Sequence, residues 1–217
     1  MNVVNVGPHL FWITSRAAGG AALLSASASV ALGLMMSARQ SGANKRDFRA
    51  LHEALSLTAL AMIALHGVAL LGDAYFRPGL TGIAIPFIGT YRPLWTGVGI
   101  IAGYGLAVLG LSYYYRDPIG ASRWRRIHRL TGLVWVMAVA HTIGAGSDAF
   151  QIWFLIVSGA LVVPAGLFLL LRWLERLEEN TQVPEAAVAS PTASRARSLE
   201  PFGTQRESPE RFSATQR

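Results

Sequence analysis

Five apolar stretches of membrane length decide what this chain can become: about Leu10–Met36, Ala50–Gly72, Pro93–Tyr115, Ile127–Ala145 and Gln151–Trp173. A helix crosses the hydrocarbon layer with roughly 20 mainly apolar residues. An open strand would leave its backbone groups unpaired in lipid, so each stretch is expected to be helical. Of the 217 residues, 52% are hydrophobic and 14% are charged, against about 25% charged in a soluble domain. The expected class is an all-α membrane protein, a bundle of five transmembrane helices. The first stretch follows an uncharged N-terminal segment with no basic leader and no small-residue cleavage site. It reads as a retained helix rather than a secretory signal.

The net charge is +7, but the basic residues cluster in short loops, so no nucleic-acid partner is expected. Arg39, Lys45, Arg46 and Arg49 follow the first stretch, and Arg116, Arg123, Arg125 and Arg126 follow the third. Such loops stay in the cytoplasm. The loop at Asp148 has no Arg or Lys and fits the outer side. The N-terminus is then outside and the C-terminus cytoplasmic, in a plasma membrane and specifically a bacterial cytoplasmic membrane. The loop from Asp73 to Arg92 is also outside, and its run Ile83–Ile88, too short to span, is expected to lie along the membrane surface. Arg172–Glu179 is expected to carry the fifth helix out of the membrane, with a kink at Pro164. Residues 180–217 are polar and poor in large apolar side chains, the composition of a disordered tail. Two parts result: a membrane domain at 1–179 and a cytoplasmic tail at 180–217.

Two of the apolar stretches carry histidines in pairs. His52 and His66 are fourteen residues apart, and His128 and His141 are thirteen apart. Ionisable side chains inside a bilayer are rare and mark functional sites. Imidazole is also a common axial ligand of haem iron. The two stretches are separated by one intervening span, so their helices run in the same direction. His52 then shares a level with His128, and His66 with His141, the levels being roughly 20 Å apart. Two haem b groups stacked across the membrane fit this pattern. With no cysteine in the chain, covalent c-type haem, disulfides and a cysteine-bound iron–sulfur cluster are excluded. Fourteen steps of about 100° return to within about 40° of the starting face, whereas thirteen leave about 140° between His128 and His141 on a straight helix. Each histidine taken singly also reads as a polar core residue with one hydrogen bond. His9, before the first span, has no matching partner and reads as interfacial.

Haem propionates need cationic or amide donors. Arg49, Arg125 and Arg126 flank the inner pair, and Arg16, Arg77 and Arg92 are candidates at the outer level. The competing reading of these arginines is topological charge or lipid-phosphate contact. Arg16 and Arg92 run against the positive-inside trend, which favours a haem or a buried partner for them. Trp135 falls between the histidine levels and either lines the space between the haems or serves packing. Gly99 and Gly103 form a Gly-x-x-x-Gly pattern, read as close helix packing. No internal repeat is expected beyond the paired histidines.

At these residues the chain resembles the ferric-reductase-like transmembrane domain family. That family includes the membrane parts of ferric reductases and NADPH oxidases and the bacterial membrane subunit of the methionine sulfoxide reductase system. Leu51-His52-Glu53 through Leu65-His66-Gly67 is similar to its first ligand helix. Trp124-Arg125-Arg126-Ile127-His128-Arg129-Leu130 through Ala140-His141 is similar to its second, and the spacing of fourteen and thirteen recurs in the oxidase branch. Tyr91-Arg92-Pro93-Leu94-Trp95 resembles the start of the intervening helix in bacterial members. The resemblance covers about residues 10–175. It implies haem b ligation by His52, His66, His128 and His141 and electron flow from inside to outside. It also implies an outer acceptor such as ferric iron, oxygen or a redox protein. Two departures matter. Only a polar tail follows the last helix where reductases and oxidases carry a flavin and nicotinamide domain. The donor is therefore expected to be a separate flavin- or iron–sulfur-containing protein or a quinol. Retention of His52 separates the chain from the sulfoxide-reductase subunit, which is expected to lack a histidine there. Two alternatives stand beside this reading: a haem-containing anchor subunit of a quinone-linked or sulfoxide-reductase-type oxidoreductase, and a non-redox transporter or assembly protein.

Overall fold

A computed structural model describes residues 9–38, 45–73 and 75–188. The chain is an all-helical membrane protein, with no strand among the described residues. Its elements are α1 (Leu10–Ala38), α2 (Lys45–Leu71), α3 (Gly79–Ala84), α4 (Pro93–Leu111), a 3-10 turn (Ser112–Tyr115), α5 (Arg116–Ile119), α6 (Ala121–His128), α7 (Thr131–Ala145) and α8 (Ile152–Val188). Four segments are long and apolar enough to cross a membrane: Leu10–Ser37, Arg46–Leu71, Pro93–Ile119 and Ile152–Glu178.

The expected span at Ile127–Ala145 is not one helix. α6 ends at His128 and α7 begins at Thr131. Across the joint the backbone bonds shorten to an i→i−3 pattern, Leu130 N to Ile127 O at 2.9 Å and Gly132 N to Arg129 O at 3.3 Å. The Thr131 hydroxyl donates to the His128 carbonyl at 2.6 Å, the local competition that lets Thr unsettle a helix ladder. Apolar periodicity does not register such a joint.

The long helices pair antiparallel. α1 packs along α2 and α4 along α7, and α1 also touches α7. α1 supplies small residues to these contacts: Ala18, Ala22, Ala26, Ser15, Ser27 and Ser29 are buried. Lipid offers no hydrophobic force between helices, so close approach through small side chains takes its place. Hydroxyls facing the apolar interior bond back to their own helix, as Ser27 to Leu23 O at 2.7 Å and Ser158 to Phe154 O at 2.6 Å. The core is Ala26, Ala59, Trp135 and Ala165, ringed by Val30, Ala31, Val139, Val162 and Leu169.

The loop after α2 folds back onto α4. The Tyr104 hydroxyl donates to Ala84 O at 2.8 Å. Phe87, at φ 69°, seats its ring where a Cβ on Gly97 would come within 2.2 Å. The run Ile83–Ile88 is thus held by the bundle, through contacts that hydropathy alone does not encode.

α8 runs through Pro164 and on to Val188, past the expected break at 180. Glu185, Ala186 and Ala187 favour helix, which a reading by overall polarity overlooks. The rest of the expected tail, residues 189–217, lies outside the described residues, as does Arg39. The chain divides into two compact units, one ending at Arg172 and the other beginning at Trp173.

Candidate functional site

The four histidines come together in pairs. The His52 and His128 ring centres are 6.4 Å apart with planes at 83°. His66 and His141 repeat this at 6.4 Å and 74°. All four rings are partly buried.

The joint between α6 and α7 explains how thirteen residues match fourteen. About three residues at the 3-10 rise of 2.0 Å and ten at 1.5 Å cover about 21 Å, the same as fourteen α-helical residues. The tighter turn also adds about 20° per residue, reducing the offset between His128 and His141 from about 140° to about 80°.

Each imidazole is fixed through Nδ1 by a backbone carbonyl of a neighbouring helix. His52 donates to Ser29 O at 2.9 Å and His66 to Ser15 O at 2.8 Å, both on α1. His141 donates to Trp95 O at 2.9 Å and His128 to Leu109 O at 3.4 Å, both on α4. A carbonyl can only accept, so Nδ1 carries the proton and Nε2 keeps its lone pair. This is the arrangement that presents a histidine to a metal.

A regularity in the sequence encodes these supports. Ser15 and Ser29 are fourteen residues apart, each followed four residues later by Gly19 and Gly33, and Trp95 and Leu109 are also fourteen apart. The hydroxyls of Ser15 and Ser29 each lie 3.0 Å from the Nδ1 they serve. A Cβ on Gly19 would sit 3.1 Å from His66 Nδ1, and one on Gly33 would sit 3.2 Å from His52 Cε1. The Ser-x-x-x-Gly unit recurs at the histidine spacing, and that was the readable signal. The Gly99/Gly103 pattern divides its work. Gly99 makes room for His141, whose Nδ1 would be 2.3 Å from an added Cβ, while Gly103 faces Ile63 on α2 at 3.4 Å.

The outer-level arginine candidates have protein partners. Arg16 Nε donates to Asp148 Oδ2 at 2.9 Å, and its Nη2 contacts Asp148 Oδ1. Its guanidinium also lies 4.0 Å from the Trp12 ring centre. Arg92 Nη1 donates to Gly144 O at 2.6 Å, beside a Tyr91 hydroxyl that reaches Ala145 O at 3.3 Å. A cation on the last carbonyls of α7 complements the negative end of that helix. Arg49, Arg77, Arg125 and Arg126 are exposed, as is His9.

Trp135 is 3% exposed, between the two levels, and its Nε1 donates to Ser27 Oγ at 3.0 Å. Trp135→Ala is expected to destabilise the bundle by about 3–5 kcal/mol, and Trp135→Phe, which loses the hydrogen bond, by about 1 kcal/mol. Detergent-resistant thermal unfolding of the two variants checks the order.

The donor set can be tested against a haem. Metal–imidazole bonds of about 2 Å on opposite sides of one ion, with about 1.1 Å from Nε2 to each ring centre, place the centres about 6.2 Å apart. Both pairs stand at 6.4 Å. Among the described residues, no three His, Cys, Asp or Glu side chains converge on a common point, as a metal ion held by side chains alone would need. Two imidazoles at this separation suit a ligand that brings further donors of its own, and the four histidines fit haem b. No family model matches the chain, and no curated protein or solved structure matches it either.

Proposed function

We propose that the chain is a di-haem b transmembrane electron-transfer protein of the ferric-reductase-like kind. It passes electrons from a cytoplasmic or membrane donor to an acceptor outside. The observation that carries this reading is the duplicate geometry: two imidazole pairs at one separation, each ring anchored through Nδ1 to a carbonyl. In this reading α1, α2, α4, the α6–α7 segment and α8 each cross a plasma membrane once. The N-terminus is outside, and the Arg-rich end, with His52 and His128, faces the cytoplasm.

His52 and His128 hold one haem and His66 and His141 the other; when bound, the two supply one-electron chemistry at two depths of the membrane. The chain's own residues do the rest. Ser29, Ser15, Leu109 and Trp95 orient the imidazoles and set their basicity. Trp135 fills the interval between the levels and excludes water. The four histidines would be the residues that hold the two groups, and the chain's part in the transfer would be placement and tuning of potential.

A quinone-linked anchor subunit is the second reading, favoured by one contact. The Tyr114 hydroxyl donates to Glu53 Oε1 at 2.9 Å on the exposed surface beside His52. A carboxylate within a membrane-length helix is a place for a proton to go, and a quinol gives up protons with its electrons.

Sealed vesicles loaded with an impermeant ferric chelate test both. A reductant added at the Arg-rich face is expected to reduce the trapped iron through wild-type protein, with His52→Ala falling to the protein-free rate. Wild-type, haem-loaded vesicles no faster than empty ones would refute the transfer. A short-chain quinol replacing a reduced flavin as donor, and working as well, would select the second reading.

A further inference from the structure

We propose that Ser112 and Trp124 raise the reduction potential of the haem at the His52–His128 level above that of the other haem, by weakening the hydrogen bond on His128. This rests on the haem reading above. Three imidazoles have firm Nδ1–carbonyl bonds, at 2.9 Å for His52, 2.8 Å for His66 and 2.9 Å for His141. His128 alone is long, at 3.4 Å from Leu109 O. That carbonyl is shared. The Ser112 hydroxyl donates to it at 2.7 Å, and Ser112 Oγ accepts Trp124 Nε1–H at 3.1 Å. The Trp124 ring lies on the His128 imidazole, centres 4.8 Å apart and planes at 22°. Among the described residues, no other of the four imidazoles has an aromatic side chain stacked on it.

The chemistry gives the sign. A strong Nδ1–H···O bond pushes imidazole toward imidazolate and makes it a better donor to iron. A better donor favours the ferric state and lowers the potential. At His128 the carbonyl's bonding capacity goes first to Ser112, and the Trp124 N–H strengthens that rival by polarising the hydroxyl. His128 is left the least basic of the four ligands, and its haem the more easily reduced. Stacking by Trp124 holds the imidazole plane, so the ring cannot turn to recover a shorter bond. Trp124 and Ser112 are positioning residues; neither is a ligand.

A spectroelectrochemical titration of the full-length, haem-loaded protein in detergent or nanodiscs reads this directly. Wild type is expected to titrate in two waves, and His66→Ala, which keeps only the His52–His128 haem, to retain the higher one. Ser112→Ala frees the Leu109 carbonyl for His128 and should shift the higher wave downward by about fivefold in the ferric–ferrous equilibrium, ~40 mV at ~59 mV per decade. Trp124→Phe keeps the stacked ring, loses the N–H, and should shift the same wave downward by less, serving where Ser112→Ala loses haem. The lower wave stays in place in both. Coincident waves in wild type, or variants that move neither wave or both equally, would overturn the proposal while leaving two bound haems intact. A wild-type chain that binds no haem at all would instead overturn the reading beneath it.

Discussion

Replacing His66 with alanine is expected to remove one haem and keep the other, so that pyridine haemochrome content per chain falls by half. His141→Ala should do the same, because the two ring centres lie 6.4 Å apart and a haem here needs both. His52→Ala and His128→Ala should each empty the other level. The fold is expected to survive. His66 gives up a carbonyl bond to Ser15, a loss of about 1 kcal/mol, and the packing against Gly19 loosens. The effect on haem is all-or-none per level, while the effect on thermal stability of the haem-free chain is small. Loss of both haems from every variant would contradict two independent sites, and no loss from any would contradict the ligand assignment.

The second large effect needs no change to a histidine. Gly99→Ala is expected to expel the haem of the His66–His141 level as completely as deleting a ligand. An added Cβ would stand 2.3 Å from His141 Nδ1 and 2.5 Å from its Cγ. Because Cγ is the root of the ring, the imidazole cannot swing clear at its tip. Either α4 and α7 separate, an overpacking penalty of about 1–3 kcal/mol, or His141 leaves its place. Gly103→Ala, one turn along, meets Ile63 at an ordinary 3.4 Å and should keep full haem content. Parallel haem quantitation of the two variants decides the matter; two haems in Gly99→Ala would show that the close approach at His141 is unimportant.

The helical class and the placement of four of the five apolar segments were legible because lipid permits few backbone solutions. The histidine levels were legible because one intervening span makes two helices co-directional. What was hidden lay in contacts that composition does not carry. Thr131 tightens the α6–α7 joint by taking the His128 carbonyl, and without that turn the spacing of thirteen looks misaligned. Asp148 binds Arg16 from 132 residues away, so a cation expected to await a haem or a buried partner has a protein carboxylate. Ser15 and Ser29 carry no signal singly because a serine in a membrane helix ordinarily bonds its own backbone, as Ser27 and Ser158 do. Only their register with His66 and His52 distinguishes them. The persistence of α8 to Val188 shows local helix propensity outlasting the end of the apolar run.

The most direct measurement is the visible spectrum of the purified wild-type chain with haem counted per polypeptide. The account predicts a low-spin b-type spectrum and two haems. A folded chain, offered haem, that stays colourless or saturates at high-spin haem with an open axial position would contradict it.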